Sequence, residues 1–269
     1  MPDQDAVLAL AAQVRQGAKY AAICPELVER VAREELAIRR NAKEALKSAR
    51  RRLHQAGAVY MGERPPYERW LAALREAQGD PARIEAVCRE ALAAHQSSRE
   101  RLPILARFYG ELLADLAPVA SVLDLACGLN PLAIPWMPLA PGARYVACDI
   151  YTDLAAFLRE ALPLLGVAGQ AETVDLSART PEAQADVVLL LKTIPCLEQL
   201  DRAAGARLLR EVRARHVVVS FPIQSLGGRR DRGMPANYRA RFAELIAGQP
   251  WRVTEHEYES ELVFVVDKG

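Results

Sequence analysis

The fold is indicated most clearly by Val122-Leu-Asp-Leu-Ala-Cys-Gly-Leu-Asn-Pro131, in which a short run of β-forming residues leads directly into a turn. Gly128 lies in that turn, and a glycine lets the backbone approach a ligand closely. In a doubly wound α/β fold the carboxyl end of the first strand holds the nucleotide part of a ligand. The full G-x-G-x-x-G pattern is absent, because Ala126 and Asn130 stand where glycines would be expected. Its absence argues against nicotinamide and flavin cofactors.

Outward from this turn, short β-rich runs alternate with helical stretches. The predicted strands are Val119–Leu125, Arg144–Asp149, Ala171–Leu176, Asp186–Leu191, His216–Phe221, Arg252–Tyr258 and Glu261–Val266. The predicted helices cover about 152–165, 196–213 and 235–247. Runs such as Val187-Val-Leu-Leu-Leu191 are apolar throughout, as central parallel strands are. This order predicts an α/β fold with a doubly wound sheet, and the last two strands form an antiparallel hairpin at one edge.

The first hundred residues predict helices only. Apolar residues recur at helical spacing in 5–16, 26–38 and 68–77, and Asp80 followed by Pro81 is typical of a helix start. The clearest loop is 60–67. We therefore predict a helical domain over residues 1–100 and an α/β domain over 101–269.

Composition limits the class of protein. The 269 residues include 35 Lys+Arg and 34 Asp+Glu, a net charge of +1 that excludes a uniformly basic, histone-like protein. The five cysteines are odd in number with no C-x-x-C pair, and the four histidines are scattered, so we expect no disulfide framework and no metal site. The acidic start lacks a secretory segment, and no apolar run reaches the roughly 18 residues of a membrane helix. These features predict a cytoplasmic protein that does not bind membranes.

Polar residues stand at the tips of successive predicted strands. Asp149 ends the second strand 21 residues past Gly128, the position from which an acid accepts hydrogen bonds from ribose hydroxyls. The alternative role for Asp149 is to cap the helix near 152, and the two roles can coexist. Asp175, at the third strand, is a candidate for an adenine amino group, and Lys192 follows the fourth strand. Together they suggest an adenosine-containing ligand without a pyrophosphate, which S-adenosylmethionine (SAM) satisfies.

Two basic clusters indicate a possible surface for a partner. Residues 39–52 carry seven Lys and Arg against one acid, and Lys43, Lys47 and Arg50 share one helix face. The face is either an ordinary solvated one or a phosphate-contacting one. The second cluster, Gly227-Gly-Arg-Arg-Asp-Arg-Gly233, is either a substrate-contacting loop or a plain exposed one.

Six segments in order give the chain a resemblance to a known family. They are Lys19-Tyr-Ala-Ala-Ile-Cys-Pro-Glu-Leu-Val28, His95-Gln-Ser-Ser-Arg-Glu-Arg-Leu102, Leu123-Asp-Leu-Ala-Cys-Gly-Leu-Asn-Pro131, Cys148-Asp-Ile150, Leu191-Lys-Thr-Ile-Pro-Cys-Leu197 and Ser220-Phe-Pro-Ile-Gln-Ser-Leu-Gly-Gly-Arg229. The chain resembles, over essentially its whole length, the aminoglycoside-resistance 16S ribosomal RNA (guanine-1405 N7) methyltransferases of the Arm/Rmt and actinomycete producer type. The resemblance implies a class I SAM-dependent methyltransferase domain behind a helical domain that docks on the assembled 30S subunit.

The resemblance also implies roles for single residues. Arg101 is expected to contact the methionyl carboxylate of SAM, Asp149 its ribose and Asp175 its adenine. Lys192 matches a family lysine needed for activity, and Gln199 is expected to line the pocket. Apart from the resemblance, Asp124 at the end of the first strand could hold the loop or reach a ligand amine. The other expected cofactor contacts are Ala126, Gly128, Ile150 and Leu176. Ala126 departs from the family, which often has Gly there.

The chemistry needs alignment rather than a base, because guanine N7 carries a lone pair and no proton. We expect Lys192, Phe221 and Arg229 at the reacting groups. Phe221 and Tyr238 are the candidates to stack on the displaced guanine. The alternative for Phe221 is packing in the core. The RNA contacts are predicted at Lys19, Lys43, Lys47, Arg50, Arg51, Arg52, Arg229 and Arg230. We expect a monomer whose product is S-adenosylhomocysteine (SAH).

Two other functions stay open from the sequence. One is a SAM-dependent methyltransferase of a nearby decoding-site adenine or of a small molecule. The other is a non-catalytic RNA-binding protein with a vestigial pocket. The basic helix argues against a small-molecule substrate, and the acids at the strand tips argue against a dead pocket.

Overall fold

The first part of the chain folds into helices, as the spacing of its apolar residues predicts. The computed structural model describes residues 2–58, 65–223 and 233–269. Its helices here are α1 (Gln4–Arg15), α2 (Pro25–Ile38), α3 (Ala42–Leu53) with a π-helical turn (His54–Ala58), α4 (Tyr67–Glu76), α5 (Pro81–Leu92), α6 (Gln96–Arg101) and α7 (Leu105–Ala114). The predicted cap is present, since the Asp80 carboxylate accepts a hydrogen bond from the Arg83 amide at 3.1 Å. Most of the predicted loop at 60–67 lies outside the described residues.

The second part is a seven-stranded sheet, which confirms the predicted α/β class. Its strands are β1 (Val119–Leu125), β2 (Leu139–Asp149), β3 (Ala168–Thr173), β4 (Gln184–Leu191), β5 (Arg213–Pro222), β6 (Arg252–Glu257) and β7 (Glu261–Asp267). Their order is β3-β2-β1-β4-β5-β7-β6, and β7 is antiparallel to both of its neighbours. The predicted edge hairpin is therefore present. The chain reverses its strand order at β1 and β4, where doubly wound sheets bind ligands.

The remaining helices are α8 (Thr152–Leu164), α9 (Ile194–Leu197), α10 (Ala204–Glu211) and α11 (Met234–Leu245). The single helix predicted over 196–213 is wrong, because the chain forms α9, a turn and then α10. The Asp201 carboxylate accepts a hydrogen bond from the Ala203 amide at 2.9 Å, and this local bond interrupts the helix.

The third strand begins and ends three residues earlier than the predicted Ala171–Leu176. Its partner β2 ends at Asp149, whose carbonyl accepts a hydrogen bond from the Val174 amide at 2.8 Å. Beyond that point Asp175 has no strand to pair with and begins a turn, so it lies in a loop at the strand tip rather than in the strand.

The helices of the first part pack directly on the sheet. Tyr67 of α4 stacks on Phe157 of α8 at 4.7 Å between ring centres, and Trp70 meets the same ring edge-on at 6.0 Å. One apolar core runs from α1 through α4 and α5 to α8, across the domain boundary predicted at residue 100. That boundary stays a prediction. None of the helices in the described ranges is long and apolar enough to span a bilayer.

Candidate active site

A cleft opens where β1, β2 and β4 end, and nearly all the predicted cofactor residues line it. Its empty volume, open mouth included, is about 950 Å³. The predicted residues in its wall are Arg101, Asp124, Ala126, Gly128, Asp149, Ile150, Asp175, Leu176 and Lys192. Ala56 and Gly57, in the π-helical turn, also line it, so the helical part of the chain closes one side.

The turn after β1 has the backbone of a ligand-binding loop. Ala126 and Gly128 have φ of 53° and 51°, in the left-handed region that favours glycine. A Cβ at Gly128 would lie 3.2 Å from the His95 ring, so the close approach there requires a glycine. Ala126, where the family often has glycine, therefore adopts a backbone conformation that favours glycine.

Asp124 is the buried acid under this loop. Its Oδ2 accepts hydrogen bonds from Asn130 Nδ2 at 2.8 Å and the Tyr145 hydroxyl at 2.7 Å. Its Oδ1 is buried and has no hydrogen-bond partner among the described residues. Burial raises the pKa of Asp124 to about 6. An unfilled acceptor beside a cleft fits a ligand ammonium group.

Asp149 does not cap α8, because its hydrogen bonds end at Tyr151, the residue before the helix begins, and its contact with ribose stays a prediction. Its Oδ2 accepts from the Gly128 amide at 2.8 Å, and its Oδ1 accepts from the amides of Ile150 at 2.7 Å and Tyr151 at 3.3 Å. Asp149 thus holds the ligand loop to the first residues before α8. A carboxylate has about four lone-pair sites, so Oδ2 keeps room for one donor from the cleft. Burial raises the pKa of Asp149, and these amides oppose the shift.

Asp175 forms an ion pair that sequence reasoning missed. Arg30 of α2 donates from Nε to Asp175 Oδ2 at 2.9 Å. The other oxygen, Oδ1, accepts from the amide of Ser177 at 3.0 Å and from its hydroxyl. The acid expected at the adenine therefore lies between the helical part of the chain and the cleft.

Two cations and two acids form a buried network at the other end of the cleft. Glu261 accepts from Arg101 Nε at 2.8 Å and Nη2 at 3.0 Å, and it lies 3.5 Å from Lys192 Nζ. Lys192 Nζ also donates to Glu100 at 2.6 Å. Burial disfavours the charge on Arg101, but Glu261 outweighs it and raises the pKa of the guanidinium. The network carries no net charge, which makes its burial tolerable.

Asn130 connects this network to Asp124. Its Oδ1 accepts from Arg101 Nη1 at 2.9 Å and from the Tyr109 hydroxyl, while its Nδ2 donates to Asp124. The amide therefore fixes a cation and a carboxylate side by side in the cleft. This pair of charges is complementary to an amino-acid zwitterion.

Two predicted site residues are wrong in position. Phe221 is fully buried and stacks on Tyr238 at 4.8 Å between ring centres, with Phe242 and Phe264 edge-on around it. It belongs to the core and cannot stack on a nucleotide. Gln199 lies outside the cleft, in a polar depression with Glu198 and Arg241. From this segment, Cys196 and Leu200 line the cleft instead.

The predicted RNA-contacting residues divide into exposed and internally bound ones. Lys19, Lys43, Lys47 and Arg51 are exposed. Arg50 donates to the Gln13 carbonyl at 2.6 Å. Arg52 pairs with Glu34 at 2.8 Å and with the buried Glu35 at 3.1 Å, so its predicted phosphate contact is replaced by a structural one. Arg229 and Arg230 lie outside the described residues.

Neither His95 nor Cys127, both in the cleft wall, is set up for proton transfer or nucleophilic attack. Burial lowers the pKa of His95 to about 4, and the nearby Arg101 and Lys192 contribute to the shift. Burial raises the pKa of the Cys127 thiol well above its usual range, so it stays protonated. Cys127 and Cys196 line the cleft as small side chains. Within the described ranges, no group of three or more His, Cys, Asp and Glu could hold a metal ion.

The cleft fits SAM on its own chemistry. The unfilled Oδ1 of Asp124 is suited to the methionyl ammonium, and the adjacent Arg101 keeps one of its five N–H donors for the carboxylate. Asp149 and Asp175 each keep one acceptor for the ribose and the adenine. These individual contacts stay predictions.

Known proteins resemble this chain over nearly its whole length. A model of the ribosomal RNA methyltransferase (FmrO) family matches residues 16–265. The 16S rRNA (guanine(1405)-N(7))-methyltransferase of Micromonospora echinospora is 38% identical over 261 residues, which cover 95% of this chain and 94% of that enzyme. The enzyme of the same name from Frankia casuarinae is 41% identical over 258 residues, covering 94% of this chain and 90% of that one.

Solved structures agree with these relatives. The crystal structure of the 16S rRNA methyltransferase RmtF in complex with S-adenosyl-L-homocysteine matches with a TM-score of 0.84 and 31% identity over 100% of both chains. The 16S rRNA methylase RmtB matches with a TM-score of 0.77 and 26% identity over 98% of both chains. The likeness extends through the helical part as well as the sheet.

Proposed function

The chain belongs to the FmrO family of ribosomal RNA methyltransferases, and we propose that it transfers the methyl group of SAM to N7 of guanine 1405 in 16S rRNA. The modification would confer aminoglycoside resistance. The observation that carries the proposal is the length of the sequence match. Relatives named for this reaction align with 94–95% of the chain, including its helical part. The family confirms the resemblance drawn from the sequence, and the fold is that of a SAM-dependent class I methyltransferase.

The residues of the cleft support a transfer that needs no general base. SAM, when bound, supplies an electrophilic methyl group on a positively charged sulfur. Guanine N7 has no proton to remove, so the reaction does not require His95 as a base or the protonated Cys127 as a nucleophile. What the chain must do is hold the donor still and present N7 in line with it, and such positioning is worth about 7–11 kcal/mol of the barrier at most.

The charge network suits the change that the reaction makes. Positive charge leaves the sulfur and appears on the methylated guanine, so an uncompensated cation beside the base would oppose the transfer. Lys192 is the cation expected there. The negative charges of Glu100 and Glu261 balance the positive charges of Lys192 and Arg101. Lys192 also has a φ of 57°, and its amide donates to Ser220, so its position after β4 is fixed by the backbone. We infer that Lys192 orients the target nucleotide through its ammonium group.

We further propose that the substrate is the assembled 30S subunit and that α3 presents its exposed cations to the rRNA backbone. Lys43, Lys47 and Arg51 stand at positions i, i+4 and i+8 of that helix, which places them on one face. RNA helices are recognised largely by shape and phosphate contacts, which suits a docking helix of this kind. The protein acts in the cytoplasm as a monomer without a metal ion.

The proposal is tested by methyl transfer from labelled SAM. Purified protein should label 16S rRNA in assembled 30S subunits, label protein-free 16S rRNA far less, and leave aminoglycosides unlabelled. Asp149→Ala should lose the labelling, because it removes a cofactor acceptor and releases the loop at Gly128. Arg210→Ala, which removes an exposed cation far from the cleft, should retain it. Label on a small molecule and none on subunits would contradict the proposal.

A further inference from the structure

The side chain of Arg30, on α2, extends from the helical part of the chain to Asp175 at the edge of the cofactor cleft. Its Nε donates to Asp175 Oδ2 at 2.9 Å and its Nη2 to the Ser177 hydroxyl at 2.5 Å. Its Nη1 donates to Glu34 at 2.8 Å, one turn further along α2. The guanidinium is therefore held on both sides, and it joins residues 145 positions apart in the sequence.

The hydrogen bonds leave Asp175 with one usable direction. Both lone pairs of Oδ1 are taken by the amide and the hydroxyl of Ser177. Oδ2 takes one N–H from Arg30, so of about four lone-pair sites on a carboxylate one is left, on Oδ2. The side chain of Asp175 is only 7% exposed, and Arg30 is the cation that compensates its charge. Ser177 and Arg30 together fix the orientation of the carboxylate, and Arg30 is the partner that holds Oδ2.

We propose that Arg30 is a positioning residue for cofactor recognition, which acts through Asp175 by aiming its free lone pair at the 6-amino group of adenine. This rests on the proposed function, since it requires SAM in the cleft. The helical part of the chain then contributes to cofactor selectivity as well as to docking. Arg30 itself does not line the cleft.

The mechanism predicts a loss that depends on the base of the ligand. SAH donates an N–H from its 6-amino group, whereas its inosine analogue carries an oxygen there and cannot donate to Asp175. Arg30→Ala should therefore weaken SAH binding about tenfold, as loss of a hydrogen bond to a charged group does. The inosine analogue should bind more weakly to the native protein and should lose little on the same substitution.

The test is calorimetric titration of SAH and its inosine analogue into native protein, Arg30→Ala and Arg33→Ala. Arg33 is the matched control, because it lies on the same helix and its guanidinium donates to the exposed Gln4 side chain instead. We expect the ratio of the two affinities to fall several-fold in Arg30→Ala and to stay unchanged in Arg33→Ala.

Three results separate the possibilities. Equal losses for both ligands, or no loss, would overturn the role of Arg30. If Arg30→Ala unfolds, Arg30→Lys keeps the charge but not the fork of donors, and the affinity ratio should still fall; an unchanged ratio in that variant would also overturn it. Failure of the native protein to bind SAH would instead remove the proposed function.

Discussion

Asp124 is the residue at which burial and cofactor recognition oppose each other. Leaving its Oδ1 unpaired costs about 1–3 kcal/mol, and burial raises its pKa to about 6. Because the pKa is higher in the folded protein than in the unfolded chain, the folded state binds more protons between about pH 4 and 6. The free energy of unfolding should then fall as the pH rises through that window. A bound ammonium group would reverse the preference by stabilising the carboxylate.

The pH dependence of SAH binding tests this residue. Because the ligand needs the charged carboxylate, affinity should be constant above about pH 7 and should fall below about pH 6, approaching tenfold per pH unit. Asp124→Asn should bind weakly with a much flatter profile, and Asp115→Asn, which alters an exposed acid, should behave as the native protein does. Calorimetry at several pH values gives the profile. A native affinity that is flat from pH 5 to 7 would contradict the assignment.

At this scale the sequence predicts residues better than it predicts their partners. Asp124, Asp149, Asp175 and Lys192 were predictable because the pattern of short apolar runs shows where strands end. The pairs that hold them were not, since Glu261 meets Arg101 across 160 residues and neither segment indicates the other. Phe221 was wrongly placed for a similar reason: an aromatic residue at a strand end can face the core or the cleft, and the packing of Tyr238 decides it.

At the scale of the element, α3 is a helix with two kinds of cation. Its inner face is fixed by Arg52, whose guanidinium compensates the buried Glu35, and by Arg50 at the Gln13 carbonyl. Its outer face leaves Lys43, Lys47 and Arg51 in solvent. The basic run in the sequence does not distinguish these faces, since that depends on how α1 and α2 pack against α3.

Replacement of the outer cations tests the docking helix. The triple variant Lys43→Ala, Lys47→Ala and Arg51→Ala should weaken 30S binding and lower the salt dependence by about one unit of slope for each phosphate that is no longer neutralised. SAH affinity should not change. The matched control removes the same charge at the end of the sheet away from the cleft, at Arg210, Arg213 and Arg252, and should bind normally. Filter binding at several salt concentrations measures the 30S affinity of each variant and its salt dependence. An unchanged slope in the first variant would show that the outer face of α3 is an ordinary solvated face.

The strands themselves were predicted well because apolar β-rich runs report burial directly. β1 has the predicted bounds, and the others differ by a few residues at their ends. Those differences are set by neighbours that a single sequence does not show: β3 stops where β2 ends, and the helix predicted over 196–213 breaks at the Asp201 turn.

At the scale of the whole molecule, the helical and sheet parts share a core. The ring of Phe157 lies between α4 and the sheet, in contact with Tyr67 and Trp70. Backbone bonds join the parts as well, from the Cys24 amide to the Ile150 carbonyl and from the Thr152 amide to the Ala22 carbonyl, both at 2.8 Å. These bonds anchor the turn that follows Asp149. The two parts should therefore unfold together.

Phe157→Ala tests this shared core. Loss of a fully buried aromatic ring should lower the free energy of unfolding by about 3–5 kcal/mol. Arg75→Ala breaks the exposed ion pair with Glu160 across the same contact and should cost less than about 1 kcal/mol. Denaturant unfolding followed by circular dichroism and by tryptophan fluorescence should show one coincident transition. Two separate transitions in the native protein would contradict a common core.

We propose that the acids at the strand ends hold SAM so that its methyl group reaches guanine N7. This proposal is tested most directly by borohydride and aniline treatment of 16S rRNA from subunits incubated with the protein and SAM, which cleaves the chain at N7-methylguanine. We expect one new break, at guanine 1405, that requires SAM and is missing with Asp149→Ala. Labelled rRNA without this break, with the methyl group found on an adenine, would contradict it.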